Sequence, residues 1–418
     1  MAILARPSVF RLTGLHHHDP IPRIAPLAIT ALTATTALGE GLAAQRDALC
    51  ARRSGLRRND LDFGHGPLDC WIGRVAGLEE SPLPGALAAW ESRNHRLAWR
   101  ALHQDGFAEA AAAAVARHGA RRVAVVMGTS TSSIGETELA YTRLEDGHFP
   151  AAQRALRVHS LHALGEFVQQ LTGARGPCMT VATACSSSAK VFAHAARLLQ
   201  AGLADAAIVG GVDTLCGSVI YGFNALQLVS RQPCRPFDAA RDGLSLGEAG
   251  GFALLEREPE GARALAWLCG YGESSDAHHM SAPHPEGLGA RLAMRDALAR
   301  AGLSADRIGY LNLHGTATPA NDRVEARAVA ALFPDSLHAS STKGWTGHTL
   351  GAAGIVESVF AVLALREGEL PGTLNSTELD PACGPQVRLD NVRRQVDYAM
   401  NNAFGFGGNN CTLVFARA

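Results

Sequence analysis

Short apolar runs that end in glycine, each followed by a helical stretch, recur along this chain of 418 residues. Residues 122–127 and 178–182 read as buried strands, and residues 187–201 read as a helix with one apolar face. A further strand, residues 206–209, is predicted to end at the glycine pair 210–211. Strands that alternate with helices predict a largely parallel sheet that is covered on both faces.

The alternation restarts near residue 264, after a loop-rich span. Residues 291–301 and 352–365 read as helices, and residues 308–313 and 337–342 read as strands. A hairpin-like piece around a Gly-rich turn follows near the C-terminus. Because both halves place a turn with functional side chains between a strand and an apolar helix, the pattern suggests a duplicated architecture.

These patterns divide the chain into three segments. Residues 1–24 are expected to form an irregular N-terminal extension, in which the three adjacent histidines at 16–18 are expected to be exposed. Residues 25–263 form the N-terminal half, which carries a candidate nucleophile. Residues 264–418 form the C-terminal half, which carries two candidate histidines.

Composition narrows the possible functions. Hydrophobic residues make up 47% of the chain and charged residues 18%, which is enough apolar material for a large core. The net charge of −1 argues against nucleic acid as the main partner. Nine cysteines without a CxxC pair fit a reducing cytosol and offer no zinc pattern. Without a signal peptide or an apolar run of about 18 residues, a cytoplasmic protein that does not enter a membrane is expected.

Cys185 stands between a predicted strand and a predicted helix, in the run Ala-Thr-Ala-Cys-Ser-Ser-Ser-Ala. Only the thiolate attacks well, and the N–H groups and dipole of a helix start stabilise that anion. Small neighbours leave room for a substrate, and the serines at 186–188 suit a helix N-terminus. A buried, inert thiol is the alternative, and it is the one we assign to Cys50, Cys70, Cys178, Cys269 and Cys411.

Two histidines lie in Gly-rich turns of the second half. His314 ends an apolar strand, and the carboxyl end of a strand is where open α/β sheets bind ligands. His348 comes just before a predicted helix, five residues after Lys343. Taken alone, each histidine favours a structural role or a merely exposed position. A thiol together with two separately positioned imidazoles predicts covalent acyl chemistry.

Five motifs resemble those of the β-ketoacyl-acyl carrier protein synthases. They occur in the family's order, and the resemblance extends from about residue 25 to the C-terminus. The motifs are Ala-Cys-Ser-Ser-Ser-Ala at 184–189, Arg-Pro-Phe-Asp-Ala-Ala-Arg-Asp-Gly at 235–243, His-Gly-Thr-Ala-Thr-Pro at 314–319, Lys-Gly-Trp-Thr-Gly-His-Thr-Leu-Gly-Ala-Ala-Gly at 343–354 and Asn-Ala-Phe-Gly-Phe-Gly-Gly-Asn-Asn at 402–410.

This resemblance implies an α/β, thiolase-like fold: five αβαβα layers built from two similar halves, normally as a dimer. It also implies that Cys185 takes an acyl group from a carrier protein or coenzyme A as a thioester. His314 and His348 would promote decarboxylation of malonyl-carrier protein by hydrogen-bonding the oxygen where enolate charge develops. The carbanion would then attack the Cys185 thioester and give a β-keto product two carbons longer. No cofactor and no metal are expected.

The same resemblance implies further site roles. The backbone N–H groups of Cys185 and Phe406 would form the oxyanion hole, and Phe404 and Phe406 would gate the acyl chain. Lys343 would support the two histidines. Three acids are expected to support the site from behind it, each with a structural ion pair as the alternative: Asp322, Glu325 and Glu357.

The chain also departs from the family pattern. Residues 29–33 read Ile-Thr-Ala-Leu-Thr where Val-Thr-Gly-Leu-Gly is usual, and Asn409 replaces the usual Thr. Both changes would reshape the pocket without touching a proposed catalytic group. Residues 213–216, with the Ser-rich run, resemble ketosynthases of bacterial aryl-polyene pathways. The expected function is therefore chain elongation of the fatty-acid or polyene and polyketide type. A heterodimeric aryl-polyene ketosynthase is the alternative.

Other enzyme classes fit the residues less well. A thiolase would need a second cysteine in a Cys-x-Gly turn near the C-terminus, and Cys411 is followed by Thr-Leu. A Cys-His hydrolase would use one histidine with an orienting acid. A non-catalytic subunit resembling a chain-length factor would lack the nucleophile, so the intact Cys185 argues against it.

The expected partners are an acyl carrier protein, acyl and malonyl thioesters, and a second subunit. That subunit is either a second copy of the chain or a related ketosynthase-like chain. An acidic carrier protein should meet basic side chains near the pocket mouth. The available arginines are Arg52, Arg53, Arg57, Arg58, Arg121 and Arg122, for each of which a solvated surface role is the alternative.

Overall fold

The structure is a computed structural model that describes residues 21–64, 66–257 and 263–418. Most of the predicted extension at residues 1–24, including its histidine cluster, lies outside the described residues. The strands are β1 (Leu27–Thr36), β2 (Gly39–Glu40), β3 (Arg57–Arg58), β4 (Trp71–Gly73), β5 (Val123–Gly128), β6 (Cys178–Val181), β7 (Ala206–Asp213), β8 (Leu246–Gly247), β9 (Ala249–Glu256), β10 (Ala266–Ser275), β11 (Tyr310–Asn312), β12 (His338–Ser340), β13 (Glu369–Leu370), β14 (Val392–Arg393), β15 (Tyr398–Gly405) and β16 (Asn409–Arg417). The helices are α1 (Gly41–Cys50), α2 (Arg93–Leu102), α3 (Phe107–His118), α4 (Ile134–Tyr141), α5 (Ala151–Arg154), α6 (Ala163–Thr172), α7 (Ser187–Gln200), α8 (Gly217–Ala225), α9 (Leu288–Ala301), α10 (Pro319–Ala330), α11 (Lys343–Thr346) and α12 (Ala353–Glu367).

The main sheet repeats one topology twice. Its first part runs β6-β5-β7-β9-β1 and its second part runs β12-β11-β15-β16-β10. If the strands of each part are numbered along the chain, both parts have the order 3-2-4-5-1. The two parts meet where Leu27–Ile29 of β1 pair antiparallel with Ala266–Leu268 of β10. The division at residues 263 and 264 stays a prediction, and the repeated strand order is compatible with it.

The prediction of a largely parallel sheet is wrong, because half of the neighbouring strand pairs within each part are antiparallel, as is the pair that joins the two parts. Within each part, two neighbouring pairs are parallel and two are antiparallel. One of the antiparallel pairs is the hairpin of β15 and β16, whose strands are joined by the short turn Phe406–Gly408 without a crossover helix. A strand buried on both faces has the same apolar sequence whichever way it runs.

Five layers result from the packing of the helices. Helices α2, α3 and α6 cover the outer face of the first part, and α9 and α10 cover that of the second. Helices α7 and α12 lie between the two parts and contact each other. This is the αβαβα arrangement built from two similar halves that the sequence predicted.

The two central helices cross closely near their N-termini. Every residue from Ala353 to Leu365 is buried, and all of them except Glu357 and Ser358 are apolar, as expected for a helix enclosed on all sides. A Cβ on Gly354 would lie 2.3 Å from the backbone nitrogen of Ala189, so only glycine permits this crossing. The Ile355 N–H donates to Ser188 Oγ at 2.9 Å. The segments that precede α7 and α12 are thereby brought together.

Strand β7 does not end at Gly210 and Gly211, as the sequence predicted, but continues to Asp213. These glycines are needed for close packing rather than for a turn. A Cβ on Gly211 would lie 2.5 Å from Cβ of Ser188 in α7, and one on Gly210 would lie 2.6 Å from the Gly251 carbonyl oxygen. The extension places the Asp213 carboxylate beneath the site.

Within the described ranges, no helix is both long enough and apolar enough to cross a membrane. All nine cysteines carry free thiols.

Candidate active site

Cys185 occupies the tight connection between β6 and α7. The preceding residue, Ala184, has a φ of 51°, a strained value for a side chain other than glycine. The Thr183 N–H donates to Ser187 Oγ at 2.9 Å, which braces the turn against the first turn of the helix. The cysteine is 5% exposed. The sequence therefore places a thiol at the N-terminus of a buried central helix.

Both predicted histidines converge on this thiol. His314 follows β11, and His348 lies between α11 and α12. The Nε2 atom of His348 is 2.9 Å from Cys185 Sγ. The two imidazole rings are 5.4 Å apart and nearly perpendicular. One ligand atom from each of the three side chains lies within 4.8 Å of the others, so a single small group can contact all three.

Lys343 lies behind the histidines in an ion pair with Glu357. Its ammonium group also donates to the His314 backbone carbonyl and lies 3.5 Å from His314 Nδ1. Burial raises the pKa of the Glu357 carboxyl to about 7, and the Lys343 charge opposes that rise. Lys343 is thus hydrogen-bonded to the backbone of His314 next to the site, and its support of the two histidines stays a prediction.

Two more of the predicted acids hold the turn that carries His314. Glu325 accepts hydrogen bonds from the N–H groups of His314 and Gly315, each at 2.8 Å, and from Asn402 Nδ2 at 3.1 Å. Burial raises its pKa to about 7, against the effect of these donors. Asp322 accepts from the Phe237 N–H at 2.7 Å, which ties the turn to residues 235–243. The sequence predicts a supporting role for these two acids. It does not single out Asn402, which appears there only as one residue of a longer motif.

The pKa of the Cys185 thiol is raised, although a position at a helix N-terminus alone would lower it. Burial raises the pKa of Cys185 to about 11, and the Lys343 charge and the N–H groups of Phe406 and Cys185 lower it by less. Burial and the Lys343 charge also lower the pKa of His314 and of His348 well below the ordinary value. At neutral pH the resting site therefore holds an uncharged thiol beside two uncharged imidazoles.

The Phe404–Gly408 segment closes the site from the other side. The Phe406 N–H points at the Cys185 sulfur, and a Cβ on Gly405 would lie 3.2 Å from the Cys185 nitrogen. The Phe406 ring stacks on Phe223 with centroids 5.7 Å apart, and the Phe404 ring lies 6.0 Å from that of His314. Phe223 lies in the apolar helix α8, where the sequence gave no sign of a site residue.

A cavity of about 510 Å³ lies in the first half of the fold, and Cys185, His314 and His348 are not among its lining residues. Asp213 directly precedes three of its lining residues, in the order of the chain. Large apolar side chains near it are exposed, including Leu139 at 43% and Tyr141 at 63%. The lining residues are Asp62, Phe63, Gly64, Ser92, Arg93, Asn94, Ser133, Gly135, Glu136, Glu138, Leu139, Thr142, Thr214, Leu215 and Cys216.

A thiol and two imidazoles are ligand types that zinc prefers. Among the described residues, Cys185, His314 and His348 are the one group of three such side chains close enough to share an ion. The Lys343 ammonium 3.5 Å from His314 Nδ1 opposes a second cation there. That the protein uses no metal and no cofactor stays a prediction.

Four of the six arginines proposed for carrier-protein docking have partners within the protein. Arg52 donates to the Leu389 carbonyl, and the other three form ion pairs. Those pairs are Arg57 with Asp60, Arg58 with Asp69 and Arg122 with Asp205. The docking assignment stays a prediction.

The layers and the site together define a thiolase-fold protein with a Cys-His-His centre. The model of the β-ketoacyl synthase N-terminal domain matches residues 94–261, and that of the C-terminal domain matches residues 265–377. The chain belongs to the β-ketoacyl synthase family.

Named relatives agree with this assignment. The mitochondrial 3-oxoacyl-[acyl-carrier-protein] synthase of Arabidopsis thaliana is 41% identical over 58% of this chain and 57% of its own length. The 3-oxoacyl-[acyl-carrier-protein] synthase 2 of Vibrio cholerae is 35% identical over 71% of this chain and 76% of its own. The first of these matches thus spans less than two thirds of the relative's length, and the second spans more.

Solved structures match over more of the chain. A chain from the complex of the ketosynthase ApeO with its chain length factor ApeC, from Xenorhabdus doucetiae, superimposes with a TM-score of 0.84. The two are 37% identical, with 94% of this chain and 98% of that chain covered. A β-ketoacyl synthase from Burkholderia phymatum superimposes with the same TM-score at 29% identity, over 94% of this chain and all of that one.

Proposed function

We propose that the protein is a β-ketoacyl-acyl carrier protein synthase, an acyltransferase that forms a carbon–carbon bond by decarboxylative Claisen condensation. The observation that carries the proposal is the approach of His348 Nε2 to Cys185 Sγ at 2.9 Å, with His314 in the same buried site. Its substrates would be acyl and malonyl thioesters of an acyl carrier protein.

In the first half-reaction the Cys185 sulfur attacks the acyl thioester. The thiol is protonated at rest, and His348, whose Nε2 lies 2.9 Å from the sulfur, would accept its proton. The N–H groups of Cys185 and Phe406 face the sulfur and would stabilise the negative oxygen that forms during attack. The bond between the acyl carbon and the carrier sulfur then breaks, and the carrier thiol leaves with the proton.

In the second half-reaction malonyl-carrier protein binds and loses carbon dioxide. The imidazole N–H groups of His314 and His348 would donate to the thioester oxygen of the resulting enolate. Its carbon attacks the carbonyl held on Cys185 and breaks the bond to sulfur. The cysteine thiolate then takes up a proton from water, because its original proton left with the carrier thiol, and the β-keto product stays on the carrier.

A heterodimeric assembly is the second candidate. It is favoured by the similarity of this chain to a chain from a complex of a ketosynthase with its chain length factor. The match covers 98% of that chain. In that assembly this chain would be the catalytic subunit, because a non-catalytic subunit needs neither Cys185 nor the two histidines around it. We place both candidates in the cytoplasm. The cavity beside Thr214–Cys216 would hold the growing chain.

Intact mass measurement after incubation with acyl-carrier proteins tests the nucleophile. The wild-type protein should gain one acyl group, and Cys185→Ala should gain none. Cys411→Ala is the matched control, because Cys411 is also a buried thiol but lies within β16. If Cys185→Ala acylates as well as wild type does, the proposal is wrong.

Comparing saturated with aryl-primed chains, with and without a chain-length-factor-like partner, separates the two candidates.

A further inference from the structure

The carboxylate of Asp213 is a buried charge that the reaction above does not use. Asp213 ends β7 and is 0% exposed. Its Oδ1 accepts from Thr129 Oγ1 at 2.6 Å, from Thr131 Oγ1 at 3.0 Å and from the Thr131 N–H at 3.1 Å. Its Oδ2 accepts from the N–H groups of Ser130 and Gly351, each at 2.7 Å. Five donors therefore converge on one side chain.

These donors come from two separate parts of the chain. The residues at 129–131 form the loop after β5, in the first half of the fold, whereas Gly351 belongs to the segment between His348 and α12. The approach is too close for any residue but glycine at 351, where a Cβ would lie 2.5 Å from the Ser130 nitrogen and 2.6 Å from Asp213 Oδ2. Asp213 thus ties the two halves together next to the site.

The segment that carries His348 is held from both sides. On one side, the His348 N–H donates to the Ser245 carbonyl at 2.7 Å, and the His348 carbonyl accepts from the Gly247 N–H at 2.9 Å. On the other side lies the bond from Gly351 to Asp213. Between them Leu350 has a φ of 57°, which a leucine adopts only when its surroundings impose it.

We propose that Asp213 is a positioning residue that sets the place of His348 at the Cys185 sulfur, through the N–H of Gly351. The effect of Asp213 on catalysis rests on the proposed function, whereas its effect on the position of His348 does not. A carboxylate suits this position because all five neighbours donate. An amide would turn its NH₂ group toward a donor and lose at least one of these bonds. Small displacements of a group at a reacting centre lower rates steeply.

A double-mutant cycle separates positioning from a general loss of structure. The variants are Asp213→Asn, His348→Ala and the combination of both. Asp213→Asn should lower the turnover of malonyl-carrier protein decarboxylation by on the order of tenfold or more, with KM little changed. In the His348→Ala background the same change should have no further effect, because the residue through which Asp213 acts is already gone.

A second readout does not depend on the proposed reaction. The rate at which iodoacetamide alkylates Cys185 should change in His348→Ala, because the imidazole contacts the sulfur. Asp213→Asn should change it in the same direction, and the double variant should match His348→Ala. A protein without condensation activity but with this pattern would overturn the proposed function and keep the positioning role.

Two further variants check that the effects come from the Asp213 hydrogen bonds. Thr131→Val removes one donor to Asp213 while the carboxylate charge stays, so it should give a smaller effect with the same dependence on His348. Asp205→Asn is the matched control. Asp205 directly precedes the first residue of β7, and its side chain pairs with Arg122 and Arg257. This variant should leave both readouts unchanged. Effects of Asp213→Asn or Thr131→Val that multiply with those of His348→Ala would overturn the proposal.

Discussion

His348 Nε2 lies 2.9 Å from Cys185 Sγ, although the two residues are 163 positions apart. Cys185 precedes α7 in the first half of the fold, and His348 precedes α12 in the second. The crossing of these two central helices therefore creates the contact. Because both groups are buried and the pKa of the thiol is raised, the resting pair is neutral.

This neutral pair predicts how Cys185 reacts with iodoacetamide at different pH values. Burial raises the pKa of the thiol to about 11. The alkylation rate should therefore be low at pH 7 and rise by about tenfold per pH unit up to pH 9, following the thiolate fraction. Mass spectrometry of the peptide that contains Cys185 measures this rate. A plateau below pH 8 would contradict the prediction, because it would mean that the thiolate already exists there.

His314→Ala should separate the two half-reactions. His348, not His314, is the imidazole for which the structure has a hydrogen bond to the sulfur, so the variant should still form the acyl-enzyme. It would lose one donor to the enolate oxygen, and condensation should fall by about two orders of magnitude or more. Intact mass reports acylation, and product analysis reports condensation. His148→Ala, at an exposed position, is the control, and unchanged condensation in His314→Ala would remove that residue from the mechanism.

The helix crossing that builds the site predicts a contrast between two helical glycines. Gly354→Ala would place a methyl group 2.3 Å from the Ala189 nitrogen and should destabilise the protein by about 1–3 kcal/mol, which for a chain of this length lowers the melting temperature by roughly 1–3 °C. Gly222→Ala in α8 meets nothing within 4 Å and should be neutral or slightly stabilising. Calorimetry of the two variants checks the prediction, and equal melting temperatures would refute it.

Much of the site could be predicted because its residues lie in short local motifs. Cys185, His314 and His348 each follow a strand or precede a helix, and those elements were visible as apolar runs. The return direction of β9 and β16 was not visible, because an apolar run does not record strand direction. The raised pKa of the Cys185 thiol cannot be predicted from the local motif either, because it depends on burial by segments distant in the chain.

Asp213 illustrates the same limit in another way. The sequence showed it only as the start of a segment similar to aryl-polyene ketosynthases. Its five donors come from residues 129–131 and from Gly351, and nothing in the local pattern links those positions. The sequence pattern predicts a strand end at Gly210 and Gly211 for a similar reason: the close packing of α7 against β7 requires these glycines, and that packing is a tertiary contact.

His95 predicts how stability depends on pH. It is fully buried between Trp90 and Phe167, and burial lowers its pKa to about 4, although Nδ1 contacts the Trp90 carbonyl at 2.9 Å. Between pH 6.5 and 4 the unfolded chain binds a proton here that the folded chain does not, so the free energy of unfolding falls as the pH falls, by at most about 1.4 kcal/mol per pH unit for this group. Urea titrations should show a shallower fall in His95→Gln than in the wild-type protein. An unchanged slope in His95→Gln would mean that His95 is already protonated in the folded protein.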